Sequence, residues 1–208
     1  MKRQRQSVAV PLLCVLGAAW FALWACAPMS TLPVPGSMAE GQQDELGVTA
    51  DYTVASYDQS SGYVGAGQGA TGQFWYRHRF GHWHLGGALF AGQAAAGGAG
   101  VFFGGLFPVG KVNLGFDVAA GWLWAEVGMP LTVPLGQRAW FYTAPSVGLR
   151  TYVIRVPVGV GFRIGKHLTL GPELELQHTA AFGGSNTGAV LLAPGLGLTG
   201  AVNASYGF

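Results

Sequence analysis

Large apolar residues occupy every second position over long stretches of the chain from residue 47 onward. The residues between them are small or polar. The clearest stretch carries, at its even positions, Val112, Leu114, Phe116, Val118, Ala120, Trp122 and Trp124. Strict alternation of this kind predicts a β-strand whose two faces have different surroundings.

The same alternation recurs over residues 152–164 and 168–178. In a soluble sandwich the apolar face would turn to a core, whereas in a membrane barrel it would turn to lipid and the polar face would line the lumen. These runs have about 11–13 residues, which exceeds the 5–6 of a typical soluble strand and is close to the 9–11 of a membrane strand. Their length therefore favours a barrel.

The positions of turns follow from the parity of the alternation, that is, from which face of the sheet each residue occupies. Directly paired residues share a face. This rule predicts short turns at 81–82, 108–111, 136–138 and 165–167, all at one end of a barrel. Four such turns, with both termini at the same end, predict ten strands, at 47–57, 68–80, 83–92, 99–107, 112–125, 129–135, 139–148, 152–164, 168–178 and 189–208. Connections at the other end are predicted near 58–67, 93–98, 126–128, 149–151 and 179–188. An eight-stranded barrel is the alternative, since residues 99–107 and 126–151 are ambiguous.

Composition supports an all-β membrane protein. Only 10% of the residues are charged, against about 25% in soluble domains. Beyond residue 26 no apolar run approaches the roughly 18 residues of a membrane-spanning helix. Glycine is the commonest residue at 35, and interior glycine disfavours helices. The apolar surplus is thus distributed over strands.

Residues 1–26 have the layout of a secretory signal peptide, with a cationic start and an apolar helical segment over 8–25. The stretch Leu23-Trp24-Ala25-Cys26 is similar to a lipobox, which makes Cys26 a candidate lipidation site. An ordinary cleavage nearby and an uncleaved inner-membrane anchor are the alternatives. Residues 27–46 show no periodicity and are predicted to be a flexible linker before a barrel over 47–208. Since no cysteine follows residue 26, no disulfide or cysteine-ligated metal is expected.

The chain ends in a strand whose apolar and aromatic positions alternate up to Tyr206 and Phe208. This ending resembles the signal that the outer-membrane barrel assembly machinery recognises. Residues 47–208 are similar in pattern to the small outer-membrane barrels of the OmpA, OmpX and Ail type. The resemblance implies export through the general secretory pathway, an integral outer-membrane location, and contact with outer-membrane lipids and lipopolysaccharide. It implies no particular activity.

Two sets of side chains are predicted from this arrangement. The first is a polar network lining the lumen, formed by Arg77, Arg79, Asp117, Arg155, Arg163, Glu173 and Glu175. The second is an aromatic girdle at the lipid interfaces, formed by Phe80, Trp83, Trp122, Trp124, Trp140 and Tyr142. The predicted function is a structural or undefined envelope role. The alternative is a small pore for ions or small solutes. Inward glycines favour it because they leave volume unfilled; they are Gly115, Gly121, Gly159, Gly161 and Gly197.

The sequence gives only weak support for a metal site, an enzyme or a nucleic-acid-binding surface. His78, His82 and His84 lie close in sequence, but alternation directs them apart, so no metal or other cofactor is expected. One set of residues resembles a hydrolase site: His178, Ser185 and either Glu173 or Glu175. It makes a lipid-modifying enzyme a lesser alternative. The main prediction is a protein without enzymatic activity and without catalytic residues. A soluble lipocalin-like binder is a further alternative. No clustered basic face indicates nucleic-acid binding.

Overall fold

The computed structural model describes residues 33–39, 41–57, 69–92, 98–121, 124–148, 153–179 and 195–208. The signal segment, Cys26 and Trp122 lie outside these ranges, as do most of the predicted loop-end connections. The strands are β1 (Asp44–Tyr57), β2 (Gly69–Phe80), β3 (Trp83–Gly92), β4 (Gly98–Val109), β5 (Val112–Gly121), β6 (Ala125–Gly128), β7 (Leu131–Pro134), β8 (Ala139–Thr143), β9 (Ser146–Gly148), β10 (Val153–Ile164), β11 (Leu168–Thr179) and β12 (Gly195–Gly207).

These twelve segments form one closed antiparallel barrel with ten strand positions. β6 and β7 both pair with β5, one above the other, and share a single position. β8 and β9 share another, because both pair with β10. β12 lies between β11 and β1, which completes the ring. The prediction of an all-β, ten-stranded closed barrel is confirmed.

The short turns lie at one end of the barrel, here called the turn side, and the opposite end is called the loop side. Phe80 pairs with Trp83 and Ile164 with Leu168, as parity predicted. β4 runs on to Val109, so its turn is shorter than the predicted 108–111. The glycines that open the 81–82 and 165–167 turns have φ of 68° and 67°, a conformation that glycine adopts without strain.

The wall between β5 and β10 departs from the prediction. Residues 126–128, predicted as a connection, belong to β6, and β5 already ends at residue 121. The predicted strands 129–135 and 139–148 are each interrupted, at Pro130 and Pro145. Proline has no N–H to donate and so removes one ladder bond where it stands, although β10 and β11 continue through Pro157 and Pro172. The Met129 N–H donates to the Pro145 carbonyl at 2.9 Å across this gap.

Apolar side chains lie on the outside of the barrel and most polar ones lie inside. Val101, Val202 and Leu176 are more than half exposed, and many other large apolar residues of the wall are exposed to a similar degree. The interior instead holds buried threonine, glutamine, glutamate and arginine side chains. This is the arrangement of a barrel that faces lipid. In the described ranges no helix is long and apolar enough to cross a membrane.

Candidate functional site

The turn-side half of the lumen is occupied by residues 33–39 and 41–43, here called the plug. Val34 and Ser37 are 1% and 2% exposed, and Met38 is buried as well. The prediction of a flexible linker over 27–46 is therefore wrong from residue 33 onward, and residues 44–46 already belong to β1. Residues 33–39 of the plug show no hydrophobic period because wall side chains hold them, whereas Gln43 already forms main-chain hydrogen bonds with Arg79 of β2 and with Phe208.

Wall side chains donate hydrogen bonds to main-chain carbonyls of the plug. The bonds run from Trp140 Nε1 to Pro35 (2.8 Å), from Thr169 Oγ1 and Arg163 Nη2 to Ser37 (3.3 Å each), and from Arg79 Nη2 to Ala39 (2.8 Å) and Gln42 (2.7 Å). Their donors come from β2, β8, β10 and β11, on different sides of the barrel. A carbonyl taken out of water needs such a donor, so these contacts stabilise the plug inside the lumen.

A buried ion pair joins the plug to the first hairpin. Arg77 Nε donates to Glu45 Oε2 at 3.1 Å, and Arg77 Nη2 also contacts this carboxylate. Arg77 Nη2 donates to Ser37 Oγ at 2.5 Å, and Ser205 Oγ donates to Glu45 Oε1 at 2.6 Å. A buried pair is tolerated when further hydrogen bonds satisfy both charges, as here. Sequence reasoning missed Glu45, although extending the alternation of β1 back by two residues would have placed it inside.

Large aromatic side chains also project into the lumen. Trp75, Phe90, Phe102 and Trp124 form one buried cluster with alanines, and Val34 packs with Trp140 and Tyr142 in another. The second cluster joins the plug to β8.

Three of the residues predicted for the aromatic girdle belong to these interior clusters. Trp124, Trp140 and Tyr142 are only 3%, 7% and 0% exposed, so their predicted place at the lipid interface is wrong. For Trp124 the alternation of β5 does not continue beyond residue 121. For the other two, the alternation through the 136–138 turn places Phe141 outside and its neighbours inside.

Glycines on neighbouring strands make room for these interior rings. A Cβ at Gly47 would lie 2.1 Å from the Trp75 ring, and one at Gly159 would lie 2.4 Å from the Tyr142 ring. The same relation joins Gly86 to Phe102, Gly100 and Gly121 to Trp124, and Gly161 to Trp140. The interpretation that inward glycines leave unfilled volume is therefore wrong at 121, 159 and 161, where aromatic rings occupy the space.

The residues predicted to line the lumen all point into it, at different levels along the barrel axis. Asp117 Oδ1 lies 2.9 Å from His84 Nε2, while Arg77, Arg79 and Arg163 contact the plug. The others lie further towards the loop side. There Arg155 Nη1 lies 3.4 Å from Glu126 Oε2, Tyr142 Oη donates to Glu173 at 2.9 Å, and Gln177 Nε2 donates to Glu175 at 2.6 Å.

Charge is segregated along the barrel axis in the described part of the chain. Cations predominate near the turns, where the residues are Arg77, Arg79, Lys111, Arg138, Arg163 and Lys166. Carboxylates predominate inside the loop-side half, where Asp51, Glu126, Glu173 and Glu175 face a single described cation, Arg155.

A cavity of about 510 Å³ remains between the plug and the wall at the turn side. Pro33 and Met38 of the plug line it, together with Arg77, His84 and Asp117 of the wall. The plug therefore narrows the turn-side lumen without filling it completely.

The other histidines considered for chemistry do not converge. His78 lies on the outer side beside Asp44 (2.8 Å), His82 is exposed in its turn, and His84 points inward. His178 is exposed on the outer face while Glu175 is buried inside, and Ser185 lies outside the described residues. The described members of the hydrolase-like set therefore lie on opposite faces of β11.

Aromatic residues near the turns lie on the outer surface. Phe80 and Trp83 are 47% and 37% exposed. The Trp83 ring stacks on Phe103 with centroids 5.4 Å apart. At the end of β12, Tyr206 and Phe208 are also exposed on the outside.

No protein-family model matches this chain, and no curated protein resembles it in sequence. Solved structures do resemble it. The KdgM porin is 10% identical over 79% of this chain and 99% of its own, with a TM-score of 0.45. Ail, the attachment invasion locus protein of Yersinia pestis, is 11% identical (80% and 99% covered, TM-score 0.40), and Neisserial surface protein A is 11% identical (79% and 97%, TM-score 0.37). Identities this low carry no information on activity.

Proposed function

We propose that this chain is an integral barrel of the bacterial outer membrane, closed at rest by its own plug, with a structural role in the envelope. The observation that carries the proposal is the combination of an apolar outer surface with a lumen occupied by the plug and by aromatic rings. An open porin needs a continuous polar channel, and here wall side chains bind the plug across its path.

The membrane location is supported by the distribution of apolar surface. Soluble monomers rarely expose a contiguous apolar patch larger than a few hundred Å². In this barrel the exposed apolar residues occur on wall strands all around the barrel, and charged residues lie on the inner face of the wall. Lipid is the solvent in which such a surface is stable, and closure satisfies the backbone hydrogen bonds that lipid cannot.

The proposal includes the biogenesis and surroundings of such a protein. We expect export through the general secretory pathway and recognition of the strand ending in Tyr206 and Phe208 by the barrel assembly machinery. Outer-membrane phospholipid and lipopolysaccharide would cover the outer face.

Conductance across a planar lipid bilayer tests the closed state. The full-length protein is expected to give no steady conductance, whereas a variant lacking residues 33–39 is expected to conduct. A faster-migrating band of the unboiled variant on an SDS gel would show that it still folds. Steady conductance of the unmodified protein would contradict the proposed role.

A small gated pore is the second candidate, and the axial segregation of charge favours it. If the plug moved, the carboxylates of the loop-side lumen would attract cations, so the pore would be cation-selective. A Cβ at Gly171 would lie 3.2 Å from Val34 Cγ2, close enough for a Val34→Cys/Gly171→Cys disulfide in a Cys26→Ser background. Brief openings that disappear on oxidation and return on reduction would support gating. Their absence in both states would leave the structural role.

A further inference from the structure

The turns of the barrel carry a ring of basic residues. Each of the four short turns contains a glycine followed within two positions by a basic residue. The residues are His82, Lys111, Arg138 and Lys166, all exposed. They belong to turns that alternate with the loop-side connections, so they are spread around the barrel and do not form one patch.

The charged side chains of this ring are not engaged by other side chains of the described ranges. Lys111, Arg138 and Lys166 form no ion pair and no side-chain hydrogen bond within the ranges that the structure describes. The nearby carboxylates are already engaged, since Asp44 binds Tyr76 and His78 while Glu45 binds Arg77. The ring is therefore available to an external anion.

The ring lies just beyond an outward aromatic zone. Trp83 packs against Phe103, Phe107 and Phe116 with ring centroids 5.3–5.5 Å apart. Tyr206 lies at the same end of the barrel and stacks on His167 of the last turn. Aromatic side chains of this kind mark the level where hydrocarbon meets lipid headgroups. The cations one turn further out are thus at the depth of the phosphate groups.

We propose that this ring, formed by Lys111, Arg138 and Lys166 with His82, binds the phosphates of anionic phospholipids in the leaflet around the turn side. Charge complementarity and depth both favour a lipid headgroup. The proposal rests on the membrane location proposed above. It goes beyond that location because it assigns a preference for anionic over zwitterionic lipid to three named side chains.

Quenching of tryptophan fluorescence by brominated lipids tests the proposal. The full-length protein is inserted into vesicles of phosphatidylcholine and phosphatidylglycerol, with either lipid brominated. The difference between the unmodified protein and Trp83→Phe isolates the signal of the outer tryptophan, because Trp75, Trp124 and Trp140 are buried inside. We expect phosphatidylglycerol to be preferred near Trp83 by about fivefold, the effect of one cation at an anionic surface.

The preference should vanish in the Lys111→Gln/Arg138→Gln/Lys166→Gln variant and at high salt. The Lys111→Arg/Lys166→Arg variant keeps the charge and should keep the preference. Equal quenching by both lipids in the unmodified protein would overturn the lipid preference and leave the membrane location intact. No quenching by either lipid would instead contradict the membrane location itself.

Discussion

Arg77 and Glu45 pair across the β1–β2 ladder inside the barrel, and Ser37 of the plug binds both of them. The pair therefore links the wall to the segment that closes the lumen. Its two charges are almost completely shielded from solvent.

Replacing Arg77 with methionine is expected to destabilise the barrel by about 3 kcal/mol, because Glu45 is left buried without a counter-charge. Replacing both residues with methionine should recover much of this loss. The free energy of unfolding in urea, measured in lipid vesicles, checks both variants. If the free energy of unfolding of the Arg77→Met variant equalled that of the unmodified protein, the pair would have to be solvated in the membrane-inserted barrel.

The close approach of Gly47 to Trp75 supplies a second prediction. Gly47→Ala should destabilise the barrel by about 1–3 kcal/mol, as overpacking of a filled interior does. Gly200→Ala is the matched control, since a Cβ there meets nothing within 4 Å. The temperature at which the fast-migrating gel band disappears should fall for the first variant only. Adding Trp75→Leu to Gly47→Ala should restore it.

The outer face provides a test that depends on depth in the membrane. Leu174→Arg, in the middle of β11, is expected to cost about 2–4 kcal/mol in vesicles, while Ile164→Arg, next to the last turn, should cost about 1 kcal/mol or less. Both positions are about half exposed in the isolated protein, so a soluble barrel would tolerate both. Equal costs at the two depths would contradict a membrane-spanning wall.

The hydrogen bond from Trp140 to the carbonyl of Pro35 can be removed without emptying the lumen. Trp140→Phe keeps an aromatic ring over Gly161 and should weaken the attachment of the plug by about 1 kcal/mol. Hydrogen exchange at the plug amides is expected to become faster. Trp83→Phe, on the outer face, is the control and should leave that exchange unchanged, whereas unaltered exchange in both variants would show that this bond does not hold the plug.

Much of the barrel follows from alternation alone. The registers Phe80–Trp83 and Ile164–Leu168 could be predicted because a shift of one residue would exchange the lipid and lumen faces of the whole strand. The interruptions at Pro130 and Pro145 were missed, although a proline in a strand signals a lost ladder bond.

The contents of the lumen were harder to predict. The plug carries no periodic signal, since its stability comes from side chains distant in sequence such as Trp140 and Arg163. Trp124, Trp140 and Tyr142, predicted at the lipid interface, lie inside the barrel. Their location depends on the glycines of neighbouring strands, and that relation appears only once the register between strands is known.

The electrophoretic mobility of the envelope protein with and without boiling tests the central claim, a closed barrel in the outer membrane, most directly. Protein from the outer-membrane fraction should migrate faster on an SDS gel before boiling than after, because a closed barrel resists the detergent. A protein found in the soluble periplasmic fraction, with the same mobility before and after boiling, would contradict the account.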